Sequence, residues 1–250
     1  PLRRDFLSQD LNPILEAQNF HGCIAVQARQ TLEENDFLLG IANEPNSKVL
    51  GVVGWLNLTE PNLDESLEHY RSHPKFVGMR KILQGAPAGT LLQEPLLKGI
   101  QKVAAQGLTY DLLIYSDQLP EAIEFVKSLP EVKIVLDHCA KPKIHQNEWE
   151  PWSTHIKTLS QFPNLWVKLS GLPFEAGPNW SIEKVKPYYE QVLECFGPNR
   201  CMFGSDWPVS TAAGSFETMV QAVEAATESL TTAEKQAIFE TNAENFYLRK

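Results

Sequence analysis

Seven short apolar runs, each followed by a stretch patterned like a helix, constrain this chain more than any other feature. The runs begin near residues 23, 49, 76, 108, 133, 165 and 201, so successive starts lie 26, 27, 32, 25, 32 and 36 residues apart. Each interval holds one helix: Thr31–Glu44, Leu63–Ser72, Leu96–Gln106, Pro120–Leu129, Trp149–Phe162 and Ile182–Phe196. Thr31 is placed to cap the first of these, with Glu34 three residues on, and Gly107 to end the third as a C′ glycine. A helix over Asp10–Asn19 precedes the first run, and Phe216–Leu230 and Thr232–Tyr247 follow the last. Strict alternation of continuous apolar strands with helices predicts a parallel sheet with helices outside. Seven units in succession favour a barrel over an open doubly wound sheet, and no G-x-G-x-x-G or P-loop follows any strand. The expected fold class is therefore α/β, a (β/α)₈ TIM barrel, which takes ~250 residues and eight strands. The first strand is missing from this count and is expected before Pro1, in agreement with the absent initiator Met. One domain spanning residues 1–250 is expected.

Charge narrows the class of partner. Lys and Arg number 22 against 31 Asp and Glu, a formal net charge of −9, and no basic cluster occurs. Nucleic acid and anionic membranes are thereby disfavoured, and a small molecule is the expected partner. No apolar run approaches the ~18 residues of a membrane span, and no signal peptide is recognisable. Cys23, Cys139, Cys195 and Cys201 are scattered, without zinc-finger or redox spacing, which predicts reduced thiols and a cytoplasmic protein.

In barrels of this kind chemistry gathers at the C-terminal strand ends. Reading those ends gives Gln27, Trp55, Arg80, Asp111, His138, Lys141 and Asp206. Asp206 closes the apolar run that starts at Cys201. It either caps the next segment or meets an arginine, or it is a metal ligand or general base, since an isolated buried carboxylate is expensive. His138 offers a metal-binding nitrogen or a proton donor, against the alternative of a ring tied to a backbone carbonyl. Gln27, Trp55 and Arg80 each have a packing or pairing alternative, and Asp111, early in its strand, reads as a member of a buried network or as a site residue. Alternation puts either Lys168 or Ser170 inward.

These motifs together resemble the sugar-acid lactonase branch of the amidohydrolase superfamily. The residues that carry the resemblance are Val26–Gln30, Gly51–Trp55, Gly78–Arg80 with Gln84, Tyr110–Leu113, Leu136–Pro142, Lys168–Gly171 and Gly204–Val209. The resemblance covers nearly the whole chain. It implies a (β/α)₈ barrel and hydrolysis of a cyclic ester, with Asp206 as the strand-eight aspartate that activates water and His138 as the strand-six histidine. It implies contacts to substrate or its developing charge from Gln27, Arg80, Gln84 and Lys141, and Trp55, Asp111 and Trp207 are further expected substrate-binding residues. The family's first strand ends in His-x-His, which this sequence lacks; that pair is expected before Pro1. The strand of Asp111 also lacks the histidine of binuclear members. At most one divalent ion such as Zn²⁺ is therefore implied, with His138 and Asp206 as its ligands in this chain, and a metal-free reaction is equally open.

The chemistry so implied is attack of water on a lactone, with Asp206 as base and Arg80, Lys141, His138 or a metal facing the developing charge. No Gly-x-Ser-x-Gly elbow is present, so no chain nucleophile is called for. The two alternatives are a metal-dependent decarboxylase of the same superfamily and a non-catalytic, truncated barrel.

Overall fold

The computed structural model describes residues 2–248; residues 1, 249 and 250 at the ends of the expected domain lie outside the described residues. Seven strands form one parallel sheet in sequence order: β1 Cys23–Val26, β2 Val49–Gly54, β3 Phe76–Ile82, β4 Thr109–Leu113, β5 Ile134–Leu136, β6 Leu165–Leu169 and β7 Cys201–Phe203. Each neighbouring pair is parallel. Around them run α1 Ser8–Ala17, α2 Leu32–Ala42, α3 Leu63–Arg71, α4 Glu94–Ala105, α5 Leu119–Lys127, α6 Trp152–Leu159, α7 Leu172–Glu175, α8 Ile182–Phe196, α9 Phe216–Ala226, α10 Thr232–Gln236 and α11 Asn242–Tyr247. The architecture is TIM-barrel-like with seven strands among the described residues.

Alternation along the strands separates two cores. Val52, Phe76, Met79, Tyr110, Leu112, Ile134 and Leu165 join the large cluster that packs against the helices. Val53, Val77, Val135 and Met202 face inward and meet Phe246 and Tyr247 of α11. The sheet's two edges, β1 and β7, are bridged by an aromatic group. Phe20, just before β1, stacks on Phe203 of β7 at 5.5 Å between ring centres and lies 5.7 Å from Phe216. A π-helical turn, Ala237–Thr241, interrupts the last helix and packs beside β7, where the sequence pattern reads one continuous helix.

Local signals act as their chemistry predicts. Thr31 Oγ1 accepts the Glu34 amide at 3.3 Å, and Thr231 and Glu234 form a reciprocal capping box. The strands that carry His138 and Asp206 are shorter than expected. β5 stops at Leu136 and β7 at Phe203, and the backbone beyond each turns left-handed at His138 and Asp206, with φ 52° and 53°. Lys168 and Ser170, two residues apart, share the inner face; neither turns outward.

Candidate active site

His138 stands in an unusual turn. Four consecutive non-glycine residues, His138, Cys139, Ala140 and Lys141, have φ between 50° and 58°. Left-handed backbone costs roughly 1–2 kcal/mol per residue and persists only where surrounding contacts dictate it. Those contacts are present. Trp152 Nε1, fully buried, donates to the Cys139 carbonyl at 2.8 Å. Cys139 Sγ donates to the Lys168 carbonyl at 3.3 Å, and the Lys141 amide closes on the His138 carbonyl at 2.8 Å. The run aims His138 at the last strands and Lys141 at α7, where its Nζ lies 4.0 Å from Glu175 Oε1.

His138 Nδ1 lies 2.8 Å from Ser170 Oγ, and Nε2 lies 3.6 Å from Asp206 Oδ1. Burial lowers the His138 pKa from its ordinary value, against the pull of Asp206 and Asp137. The Asp206 side chain is 21% exposed against 10% for His138, so the carboxylate opens to the mouth while the ring is enclosed. Burial likewise raises the Glu175 carboxyl above the usual range, with Lys141 pulling the other way.

Beneath this pair lies a closed ionic network. Lys168 Nζ is 2.5 Å from Asp111 Oδ2 and 2.8 Å from Asp137 Oδ1. Arg80 Nη1 donates to Asp137 Oδ2 at 2.8 Å, and its Nη2 donates to the Gln27 carbonyl. Tyr247 Oη donates to Asp111 at 2.9 Å. Burial pushes the Asp111 carboxyl up to about 6, with Lys168 opposing. Burial works in the same sense on Asp137, but Lys168 and Arg80 outweigh it and hold that carboxyl well below the usual range. Burial works against the Lys168 ammonium too, and its two carboxylates outweigh it, keeping its pKa raised.

The residues singled out in the sequence thus divide. His138 and Asp206 face each other, and Lys141 stands nearby over the mouth. Arg80 and Asp111 belong to the network, with most of their polar atoms taken. Gln27 is fully buried, and its Nε2 donates to the Arg80 carbonyl at 2.9 Å. Four buried polar atoms at the ends of β1 to β3 have no hydrogen-bond partner among the described residues: Gln27 Oε1, Trp55 Nε1, Arg80 Nε and Gln84 Oε1. Trp207 packs edge-on against Phe6, ring centres 5.3 Å apart. Sequence reasoning missed Asp137 and Glu175 and left Lys168 and Ser170 unresolved. Asp137 was masked by the histidine beside it, although a lone lysine in the apolar strand Leu165–Leu169 was a signal that buried carboxylates must exist to meet it.

His138 Nε2 and Asp206 Oδ1, 3.6 Å apart, are spaced as two ligands of one divalent ion with bonds of about 2.0–2.2 Å. They fit as two donors of such a site. Among the described residues the one group of three metal-capable side chains, His21, Glu240 and Glu244, is elsewhere, at the start of β1, and partly exposed.

Parallel strands that bring a histidine and a carboxylate together at their C-terminal ends place the pair where barrel enzymes carry their chemistry. Comparison with known proteins narrows the class. Residues 3–249 match the family described as amidohydrolase. An L-fucono-1,5-lactonase of Burkholderia ambifaria is 37% identical over 214 residues, covering 85% of this chain and 73% of that protein. An L-fucono-1,5-lactonase of Burkholderia multivorans is 33% identical, covering 98% and 87%. A crystal structure of an amidohydrolase from Burkholderia multivorans with bound zinc superposes with a TM-score of 0.92 at 32% identity, covering 98% of this chain and 89% of that one. The chain belongs to the amidohydrolase family, in its lactonase branch.

Proposed function

We propose that the protein opens a sugar-acid lactone, of the kind named for its L-fucono-1,5-lactonase relatives, by attack of water. The observation that carries this reading is the His138–Asp206 pair, 3.6 Å apart at the strand ends of a chain 33–37% identical to two such lactonases. Asp206 acts as general base. Its carboxylate takes a proton from water as the oxygen attacks the ester carbonyl. The carbonyl oxygen gains charge, which His138 Nε2–H and the Lys141 ammonium meet. The tetrahedral centre then collapses, the ring C–O bond breaks, and the proton held on Asp206 passes to the leaving ring oxygen. The product is an open-chain hydroxy acid. In a metal-loaded site His138 Nε2, then without its proton, and Asp206 would be two ligands of the divalent ion, which when bound supplies stabilisation of carbonyl charge in place of the Nε2–H and a more acidic water.

Substrate contacts are assigned to Gln27, Trp55, Gln84, Lys141 and Trp207. The two unpaired glutamine oxygens and the unpaired indole N–H favour hydroxyl groups, which both donate and accept. Arg80 and Asp111 are assigned to holding the floor of the site. The decarboxylase alternative has less support: the structure of 2,6-dihydroxybenzoate decarboxylase, at 16% identity and TM-score 0.63, shares the fold alone. A panel of sugar-acid lactones and aromatic acids separates the two. The proposal predicts acid release from lactones; carbon dioxide from the acids without lactone opening would overturn it.

A further inference from the structure

Ser170 is 2% exposed, and its Oγ lies 2.8 Å from His138 Nδ1. Among the described residues that nitrogen is the hydroxyl's one hydrogen-bond partner. A buried hydroxyl needs an acceptor for its proton, and Nδ1 can accept only when the ring proton sits on Nε2. On the other side of the ring, Nε2 faces the Asp206 carboxylate, a group that only accepts. Both neighbours favour the same tautomer.

We propose that Ser170 is a positioning residue: it donates to Nδ1 of His138 and so holds the ring proton on Nε2, aimed at the gap before Asp206. The seat is tight. A Cβ on Gly171, which has φ +74°, would come within 2.8 Å of His138 Cβ, and one on Gly204 within 3.0 Å of Ser170 Cβ. Glycines at these two positions let the ring and the hydroxyl meet.

The consequence is a choice built into one hydroxyl. With its proton on Nε2, His138 is a hydrogen-bond donor to an ester oxygen. To ligate a metal, Nε2 must be bare; the ring proton then sits on Nδ1, and the Ser170 hydroxyl must turn to accept it. Rotation of Ser170 Oγ–H thus accompanies any change of His138 from donor to ligand.

Long-range ¹H–¹⁵N NMR on chelator-treated wild-type protein tests this, with His138 assigned by its loss in His138→Gln. The expected result is a protonated Nε2 and a bare Nδ1; a protonated Nδ1 would overturn the proposal. In Ser170→Ala a second, Nδ1–H form is expected to appear, and an unchanged tautomer would also overturn it. The kinetic arm rests on the lactone-hydrolysis reading. In Ser170→Ala, kcat should fall about 10–100-fold, the range for partners that orient such a histidine, with KM changing less than about twofold. An unchanged kcat would count against a role in turnover. If the wild type opens no lactone, the hydrolysis reading fails while the NMR result still decides the role of Ser170.

Discussion

Lys168 lies between two carboxylates with no exposed surface, Asp111 and Asp137, and Arg80 completes the charge balance. Removing one partner of such a group strands buried charge, which costs about 3–5 kcal/mol. Lys168→Met should therefore lower stability by about that amount in denaturant unfolding. The pH dependence of Asp137 has a definite sign. Its folded pKa is depressed, so its contribution is fully present above its unfolded value of about 3.9 and is lost as pH falls toward the lower folded value. Asp137→Asn should be less stable than wild type at pH 7, with the gap narrowing below about pH 4. His138 and Asp206 were legible in the sequence because each ends an apolar run where a polar residue needs a reason. Lys168 and Ser170 were only half legible: a period of two puts both on one face, but the identity of their partners depends on strands far away in sequence.

The element that shapes the site is the left-handed run from His138 to Lys141. Nothing local announces it, since it contains neither glycine nor asparagine, the residues that favour such backbone. Tertiary contacts impose it, chiefly the bond from Trp152 Nε1 to the Cys139 carbonyl. Trp152→Phe keeps most of the packing but leaves that carbonyl buried and unpaired, which costs about 1–3 kcal/mol. Thermal unfolding should show the loss, and lactone turnover should fall with it, because the same turn carries His138 and Lys141. An unchanged melting temperature would show that the turn is held by other means. The major helices, by contrast, were legible: Ile182–Phe196 matches its predicted range, and the expected cap at Thr31 is present. The short α7, which carries Glu175, left no periodicity to read.

At the scale of the molecule, the spacing of seven apolar runs translated directly into seven parallel strands in sequence order, because each interval is long enough for a crossover helix; the longest, between β6 and β7, also holds the short α7. What spacing could not convey is the join between β1 and β7. There Phe20, Phe203, Phe216 and Phe239 meet from four separate segments, and the π-helical turn brings α11 inward so that Tyr247 reaches Asp111. No helix among the described residues is long and apolar enough to cross a membrane. The ends of β5, β6 and β7 together form the proposed catalytic centre, and Asp206 is the group on which water activation depends. The most direct test is the rate of acid release from a sugar-acid lactone by wild-type protein and by Asp206→Asn, with thermal unfolding measured on both. Rapid release by wild type, a loss of about 10²–10⁴-fold in the variant and a matching melting temperature are predicted. Equal rates in the two proteins would contradict the assignment of Asp206 as the base.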